Sequence, residues 1–368
     1  MRILSREDGF TLAELLTSTT ITLVVLGTAM TTFKQTLTVH EHASLISDSS
    51  QNLRAGTNLL VRDLMQAGRG MPTGGVAIPS GVGAAAINRP SPTGQAYTFD
   101  NVNASTLPSI ISGAGLGPNV DGLQTDLVTM LMADTTLEVT GIPTQYTLDL
   151  NPQPAGANPP LLANDGASFT VGWNTLWLTG DTTRGVTKIK PGDLICFLNN
   201  ANGGSAIQTV TRTDATTVYF DAGDWFNFNQ RNAPQGSVMQ LKNGAVFPQT
   251  KVFRVQTLTY HVDNTTTPGT PRLVRMMNHF TPPQPLAGVV EDLDISYDLV
   301  DGVTNPINIK SLPYTAGGVT YTANQIRKVN LHIGVRSGSR TTDRRDFLRN
   351  NITTVVSIRG LAFSDRYK

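Results

Sequence analysis

The most apolar part of the chain lies near its start. Residues 10–33 are almost all apolar or hydroxyl-bearing, and Glu14 is the only charged residue among them. A helix of this length spans the hydrocarbon core of a bilayer. Threonine lowers the apolarity of the run, although its hydroxyl can bond to a carbonyl of its own helix. We therefore predict a membrane-spanning helix that is suited to packing among other helices.

The helical pattern continues beyond the apolar run. Residues 34–69 are more polar and keep apolar side chains at spacings of three, four and seven. No proline interrupts residues 10–69, and Gly68 and Gly70 supply a stop signal. The pattern predicts one helix over residues 10–67, about 85 Å long, with an amphipathic second half. We interpret Arg62 and Asp63 as solvated charges on it. The predicted apolar face consists of Leu45, Ile46, Leu53, Leu60, Leu64 and Ala67.

The rest of the chain has the pattern of a β protein. Apolar and polar residues alternate in Val290–Leu299 and again in Ile326–Arg336, which predicts two half-buried strands, and residues 352–358 predict a third. Residues 71–122 are rich in glycine and proline and predict irregular structure with short elements. The predicted fold class is α+β, a long helix packed on an antiparallel sheet. Further strands are predicted at 126–133, 175–179, 193–198, 206–212, 216–221, 237–241 and 251–262, with a tight link at 213–215.

Composition narrows the possible functions. Charged residues make up 15% of the chain, the net charge is +1, and no basic run occurs, so no nucleic-acid partner is predicted. The single cysteine, Cys196, excludes an internal disulfide and a cysteine metal cage. We interpret it as a small apolar residue of a strand.

No catalytic pattern stands out. The five histidines form no HExxH motif, and no nucleophile elbow or phosphate-binding loop occurs. Asp221 and Asp224, followed by Trp225, Phe226 and Phe228, match no complete metal motif, and we interpret this segment as a structural turn with core aromatics. We predict no enzyme activity, no cofactor and no metal site.

The junction before the apolar run is unusual. The first nine residues are short and polar, and the small residue Gly9 precedes the apolar segment instead of following it, unlike a secretory signal. A cut after Gly9 would leave the apolar helix on the mature protein. Glu14 needs a partner in an apolar surrounding, and the new α-amino group of Phe10, in the same or a neighbouring subunit, can supply one.

Residues 9–16, Gly-Phe-Thr-Leu-Ala-Glu-Leu-Leu, resemble the processing motif of type IV prepilins and pseudopilins. The resemblance implies that Gly9 ends the leader, that Phe10 is the first mature and N-methylated residue, and that Glu14 aligns subunits during assembly. Residues 51–70 resemble the end of the first helix in PilW-type minor pilins. Three later segments, 290–297, 327–333 and 344–347, resemble more loosely the C-terminal part of PilW-type and J-type proteins. The leader departs from the family pattern, because it carries Glu7 and Asp8 besides its arginines.

The resemblance implies a pilin-like organisation. Residues 1–9 would be a cytoplasmic leader, 10–33 a transmembrane and filament-core helix, 34–69 its amphipathic continuation, and 70–368 a β-rich head with an extended middle region at about 122–247. The protein would sit in the inner membrane with its head in the periplasm and then enter a pilus. Implied partners are a prepilin peptidase, other minor and major pilins, and the pilus assembly platform.

The expected function is that of a minor pilin that primes or joins a type IV pilus for adhesion, twitching motility or DNA uptake. Three alternatives stay open. One is a J-type pseudopilin of type II secretion, which is usually shorter. Another is a membrane-anchored enzyme or binding module with a β-rich domain. The third is a surface adhesin in which the aromatic segment from Trp225 to Phe228 contacts a ligand.

Overall fold

The structure combines one long N-terminal helix with many antiparallel strands, an α+β arrangement. The predicted strand at 175–179 lies outside the described residues, as do residues 1–9 with Gly9. The computed structural model describes residues 10–72, 74–134, 162–170, 189–199, 203–214, 217–244, 247, 250–267, 269–280, 282–343 and 345–358.

The predicted helix is continuous. It spans Leu12–Gln66 and is referred to as α1. Thr11 is its N-cap residue and Ala67 its C-cap residue. Gly68 and Gly70 then adopt positive φ angles of 77° and 73°, which end the helix as predicted because glycine tolerates this conformation.

The described residues after the helix form many strands joined by turns and loops. Within the described ranges, the two short 3-10 helices Val238–Leu241 and Ala323–Gln325 lie between strands. The strands are β1 (Val76–Ala77), β2 (Ile87–Arg89), β3 (Tyr97–Phe99), β4 (Thr106–Leu107), β5 (Ile110–Ile111), β6 (Asn119–Val120), β7 (Leu123–Gln124), β8 (Val128–Ala133), β9 (Ser168–Thr170), β10 (Leu194–Asn199), β11 (Ser205–Thr209), β12 (Arg212–Thr213), β13 (Thr217–Tyr219), β14 (Thr250–Asp263), β15 (Arg272–Met277), β16 (Gln284–Ala287), β17 (Val290–Leu299), β18 (Tyr314–Ala316), β19 (Val319–Tyr321), β20 (Ile326–Arg336) and β21 (Arg349–Ser357).

The C-terminal sheet has the strand order β17-β20-β21 and is antiparallel throughout. The predicted bounds of β17 and β20 are confirmed, and β21 begins three residues earlier than predicted. Burial follows the predicted alternation over most of both strands, since the apolar residues are buried and the polar residues between them are at least partly exposed, except for the buried Glu291 and Arg336.

The larger sheet is built around β14. Strand β8 pairs along one side of it, whereas β10 and β15 follow each other along the other side. This follows from the register, because Val255 pairs with both β10 and β8, and Leu258 pairs with both β15 and β8. Strands β11, β16 and β5 extend the sheet outward from β10, β15 and β8.

Two sequence predictions are corrected. Residues 237–241, predicted as a strand, hold the 3-10 helix Val238–Leu241, whose three-residue turn brings the buried Val238 and Leu241 to one side. The predicted strand 206–212 ends at Thr209, and Arg212–Thr213 starts a separate strand paired with β13. Residues 71–122 hold the short strands β1 to β6, in keeping with the predicted short elements.

The second half of α1 covers both sheets. Leu53, Leu60, Leu64 and Ala67 are buried in one apolar cluster with residues of β8, β14, β17 and β20. Ile46, predicted for this apolar face, is instead 48% exposed. At Gly56 the helix approaches β16 so closely that a Cβ atom would lie 2.8 Å from the Cβ of Ala287. A glycine is therefore required at this crossing.

A buried histidine, His261, lies on the face of β14 that points away from α1. The side chain of His261 is fully buried, and within the described residues neither ring nitrogen has a hydrogen-bond partner. Burial lowers the pKa of His261 from 6.5 to about 4, although the charge of Asp263 opposes the change. His261 is therefore neutral in the folded protein at pH 7.

This burial predicts acid sensitivity. Between pH 6.5 and 4 the unfolded chain binds a proton at His261 that the folded protein does not, so the free energy of unfolding falls as the pH falls, by up to about 3 kcal/mol. His261→Phe should remove this part of the pH dependence. Urea unfolding of the full chain in detergent micelles at several pH values measures it. His332→Gln, at a partly exposed position, is the control. An unchanged pH dependence in His261→Phe would contradict the interpretation.

Candidate functional site

The start of α1 is closed by a reciprocal pair of side chains. The Thr11 hydroxyl accepts a hydrogen bond from the Glu14 backbone N–H at 3.3 Å. In return, Glu14 Oε2 accepts from the backbone N–H of Thr11 at 3.0 Å and from its hydroxyl at 2.9 Å. This is a capping box, in which a threonine and the acid three residues later satisfy free N–H groups at the helix start.

The cap gives Glu14 a local partner that the sequence interpretation missed. A threonine followed by a glutamate three residues later, just before an apolar run, is the sequence signal for this motif. Both bonds that Glu14 accepts from Thr11 end on Oε2, and no bond to Oε1 occurs within the described residues. One carboxylate oxygen thus stays available to a second partner, such as the predicted α-amino group.

Phe10 lies outside the helix. It precedes the N-cap, it is 88% exposed, and Thr11 after it is extended, with φ −74° and ψ 148°. Peptidases bind extended, accessible backbone. The predicted junction residue Phe10 is therefore accessible, whereas Gly9 lies outside the described residues.

The first half of α1 packs against no other part of the described chain. Its large apolar side chains, from Leu12 to Val39, are all more than half exposed. The helix is long and apolar enough to cross a membrane. Its threonines are satisfied as predicted, since Thr17 donates to the Ala13 carbonyl at 2.9 Å and Thr20 to the Leu16 carbonyl at 2.8 Å.

Polar contacts with the head begin at the middle of α1. The Thr342 hydroxyl donates to Glu41 Oε1 at 2.8 Å, and His42 Nε2 lies 3.2 Å from Asp343 Oδ1. Both partners belong to the loop between β20 and β21. That loop therefore holds the helix close to the point where it leaves the head.

The main polar anchor between helix and head is Asp63. Its side chain is 5% exposed, so the prediction of a solvated charge was wrong for this residue. Asp63 Oδ2 accepts from the hydroxyl of Tyr260 at 2.7 Å and from Nε of Arg275 at 2.8 Å. Arg62 is exposed as predicted, and its Nε lies 3.5 Å from Asp63 Oδ1.

The partners of Asp63 come from two adjacent strands. Tyr260 and Arg275 face each other across the β14 and β15 pair, so one carboxylate of the helix is bound by both strands. Burial, and then the hydrogen bond to Asp63, raise the pKa of Tyr260 well above its usual range. The phenol therefore stays protonated and keeps donating to Asp63.

The aromatic segment is mostly structural. Phe226 and Phe228 are fully buried, and only Trp225, at 42%, is substantially exposed. Asp224 closes the turn before them, because its Oδ2 accepts from the Thr209 hydroxyl at 2.5 Å and from the Phe228 N–H at 3.1 Å. The interpretation as a structural turn with core aromatics is confirmed for Phe226 and Phe228. Their burial counts against an adhesive surface made of all three rings.

The side chains that could bind a metal do not form a cluster in the described part of the chain. Across the described part of the chain, no three histidine, cysteine, aspartate or glutamate side chains are placed to hold one ion. Cys196 is fully buried in β10, as interpreted, and burial raises the pKa of its thiol far above the usual range.

No protein-family model, curated protein or solved structure matches the chain. Its function is therefore inferred from its own residues and their geometry.

The anchor at Asp63 predicts a specific loss of stability. Asp63→Asn should lower the free energy of unfolding by about 3 kcal/mol, because Arg275 keeps its charge in a largely buried place without a carboxylate. Urea unfolding of the full chain in detergent micelles measures this.

Two variants serve as comparisons for the anchor. Arg62→Ala removes an exposed charge from the same carboxylate and should change stability by less than about 0.5 kcal/mol. The triple variant Asp63→Leu, Tyr260→Phe and Arg275→Met replaces the carboxylate and both of its hydrogen-bond partners by apolar groups and should recover most of the loss. Equal effects of Asp63→Asn and Arg62→Ala would refute the buried-anchor interpretation.

Proposed function

We propose that the chain is a minor pilin of a type IV pilus with a pilin-like fold. It is made with the leader 1–9, cut after Gly9 by a prepilin peptidase and methylated on the new amino group of Phe10. It stays in the inner membrane through residues 10–33, with its head in the periplasm. From there it joins other minor and major pilins, either priming filament assembly or becoming part of the filament.

One observation carries the proposal. An accessible residue, Phe10, and the extended N-cap residue Thr11 precede a helix whose first half is apolar, carries a single acid and is left uncovered by its own head. An anchor that only crossed a membrane would need no acid near its start, because a charge in that position is costly without a partner. In a filament, neighbouring helices cover the apolar surface and a neighbouring amine reaches the acid.

The two oxygens of Glu14 allow two roles at once. Oε2 closes the helix start through Thr11, and Oε1 is left for the α-amino group of a neighbouring subunit. A carboxylate between a local cap and an incoming amine sets the axial position of one helix against the next. The ion pair also offsets the cost of burying either charge alone.

The head supports the same function. Because Asp63, Tyr260 and Arg275 hold α1 on the sheet from within the core, the exposed half of the helix projects in a defined direction. Subunits that assemble through their helices then present their heads in a repeated orientation. A loose tether would give no such order.

Processing is tested by intact-mass measurement of the protein purified from membranes of a pilus-bearing host. The expected mass lacks residues 1–9 and has gained one methyl group. The same host without its prepilin peptidase is the control and should yield the full-length chain. A mature protein that starts at Met1, or at any residue other than Phe10, in the complete host would refute the proposal.

Variants at the cap separate the two roles of Glu14. Glu14→Gln keeps a capping acceptor but removes the charge, whereas Thr11→Ala keeps the charge but removes the reciprocal cap. We expect normal cleavage in both, loss of incorporation into pili for Glu14→Gln, and near-normal incorporation for Thr11→Ala. Immunoblots of sheared pilus and membrane fractions measure incorporation. Normal incorporation of Glu14→Gln would show that the charge sets no register.

A further inference from the structure

The head contains a cavity of about 350 Å³ away from the exposed half of the helix. It lies between residues 99–112 on one side and residues 312–324 on the other. This volume is at the lower end of the range for small-ligand sites. The wall is mostly apolar and includes Phe99, Leu107, Ile110, Leu312 and Pro313.

The polar groups of the wall narrow the chemistry of a ligand. Asn324 lines the cavity, and its Oδ1 is buried without a hydrogen-bond partner among the described residues. A carboxamide has two N–H donors as well as an acceptor oxygen, and a flip of the amide exchanges its two ends. Asn324 can therefore bond to a hydroxyl or an amide of a ligand through the end that faces the cavity.

The charges at the cavity oppose an anionic ligand. None of the described lysines, arginines or histidines lines it, whereas the exposed Asp100 does. Hydrogen bonds from Asn103 hold the pKa of Asp100 below its ordinary value, so Asp100 is charged at neutral pH. Arg89 donates to the carbonyls of two lining residues, Ile111 and Ser112, and is not itself part of the wall.

We propose that this cavity binds an uncharged, mainly apolar group that carries one hydroxyl or amide, with the apolar part between Phe99 and Leu312 and the polar part on Asn324. Such a group is found in a small aromatic alcohol and in an apolar residue of an extended peptide. The proposal goes beyond pilus assembly and does not depend on it.

The experiment uses the full chain in detergent micelles with isoleucine methyl groups labelled for NMR. Ile78, Ile110 and Ile111 line the cavity, whereas Ile21 and Ile46 lie exposed on the helix and report on partition of a probe into the micelle. The probes are 2-phenylethanol and the anion 3-phenylpropanoate. We expect 2-phenylethanol to shift the cavity methyls with a Kd on the order of 1 mM and 3-phenylpropanoate to bind at least about tenfold more weakly.

Two variants locate the binding site. Ala104→Trp fills the cavity from its partly exposed wall and should abolish the shifts, with an unchanged thermal unfolding midpoint to show that the head stays folded. Asn324→Leu should weaken 2-phenylethanol about three- to tenfold and leave toluene binding equal or tighter, because only the alcohol uses the carboxamide.

A third probe, which resembles a peptide residue, identifies the source of the ligand. Tighter binding of N-acetyl-leucinamide than of 2-phenylethanol assigns the cavity to a residue of a protein partner, and the reverse assigns it to a free small molecule. The proposal fails if the cavity and helix methyls shift alike, if Ala104→Trp folds and still binds, or if the anion binds as well as the alcohol.

Discussion

The arrangement of this protein depends on one buried carboxylate. Asp63 lies inside the contact between the helix and the larger sheet, where it accepts hydrogen bonds from Tyr260 and Arg275 on adjacent strands. A sliding or rotation of the helix would leave both the carboxylate and the guanidinium without partners in a largely buried place, at a cost of several kcal/mol. Apolar packing alone tolerates small slides, so the ion pair fixes the register between helix and head.

The two halves of the helix meet opposite requirements. The second half is stabilised by its own head, with close packing at Gly56 and an apolar stripe from Leu53 to Ala67. The first half gains nothing from the head, and its apolar surface is favourable only in lipid or among other helices. Its threonine hydroxyls bond to the helix's own carbonyls, and one oxygen of Glu14 bonds to the cap, which leaves the other carboxylate oxygen for a partner. The proposed assembly would then require little rearrangement of this half.

The sequence predicted those features that depend on local pattern. Strands β17 and β20 were predicted to the residue, because strict alternation reflects one buried and one exposed face. Asp63 was not predicted as buried, because an Arg-Asp pair on a helix looks the same whether or not two strands supply donors from residues 260 and 275. The sequence does contain the local signal of the capping box, a threonine three residues before a glutamate. The prediction nevertheless paired the charge of Glu14 with an α-amino group and not with Thr11. The prediction of a strand at 237–241 was wrong because a short apolar run fits a strand or a 3-10 turn equally well.

The same core links the helix to the cavity. Ile110 and Ala323 of the cavity wall belong to the apolar cluster that also contains Leu60 and Leu64 of α1. A wall built from a close-packed cluster is formed before any ligand arrives, which lowers the ordering cost of binding. Since α1 is held in that cluster by the ion pair as well as by packing, an occupant cannot displace the helix without breaking the pair at Asp63. The two proposals, ligand binding in the head and helix packing in a filament, are therefore compatible in one subunit.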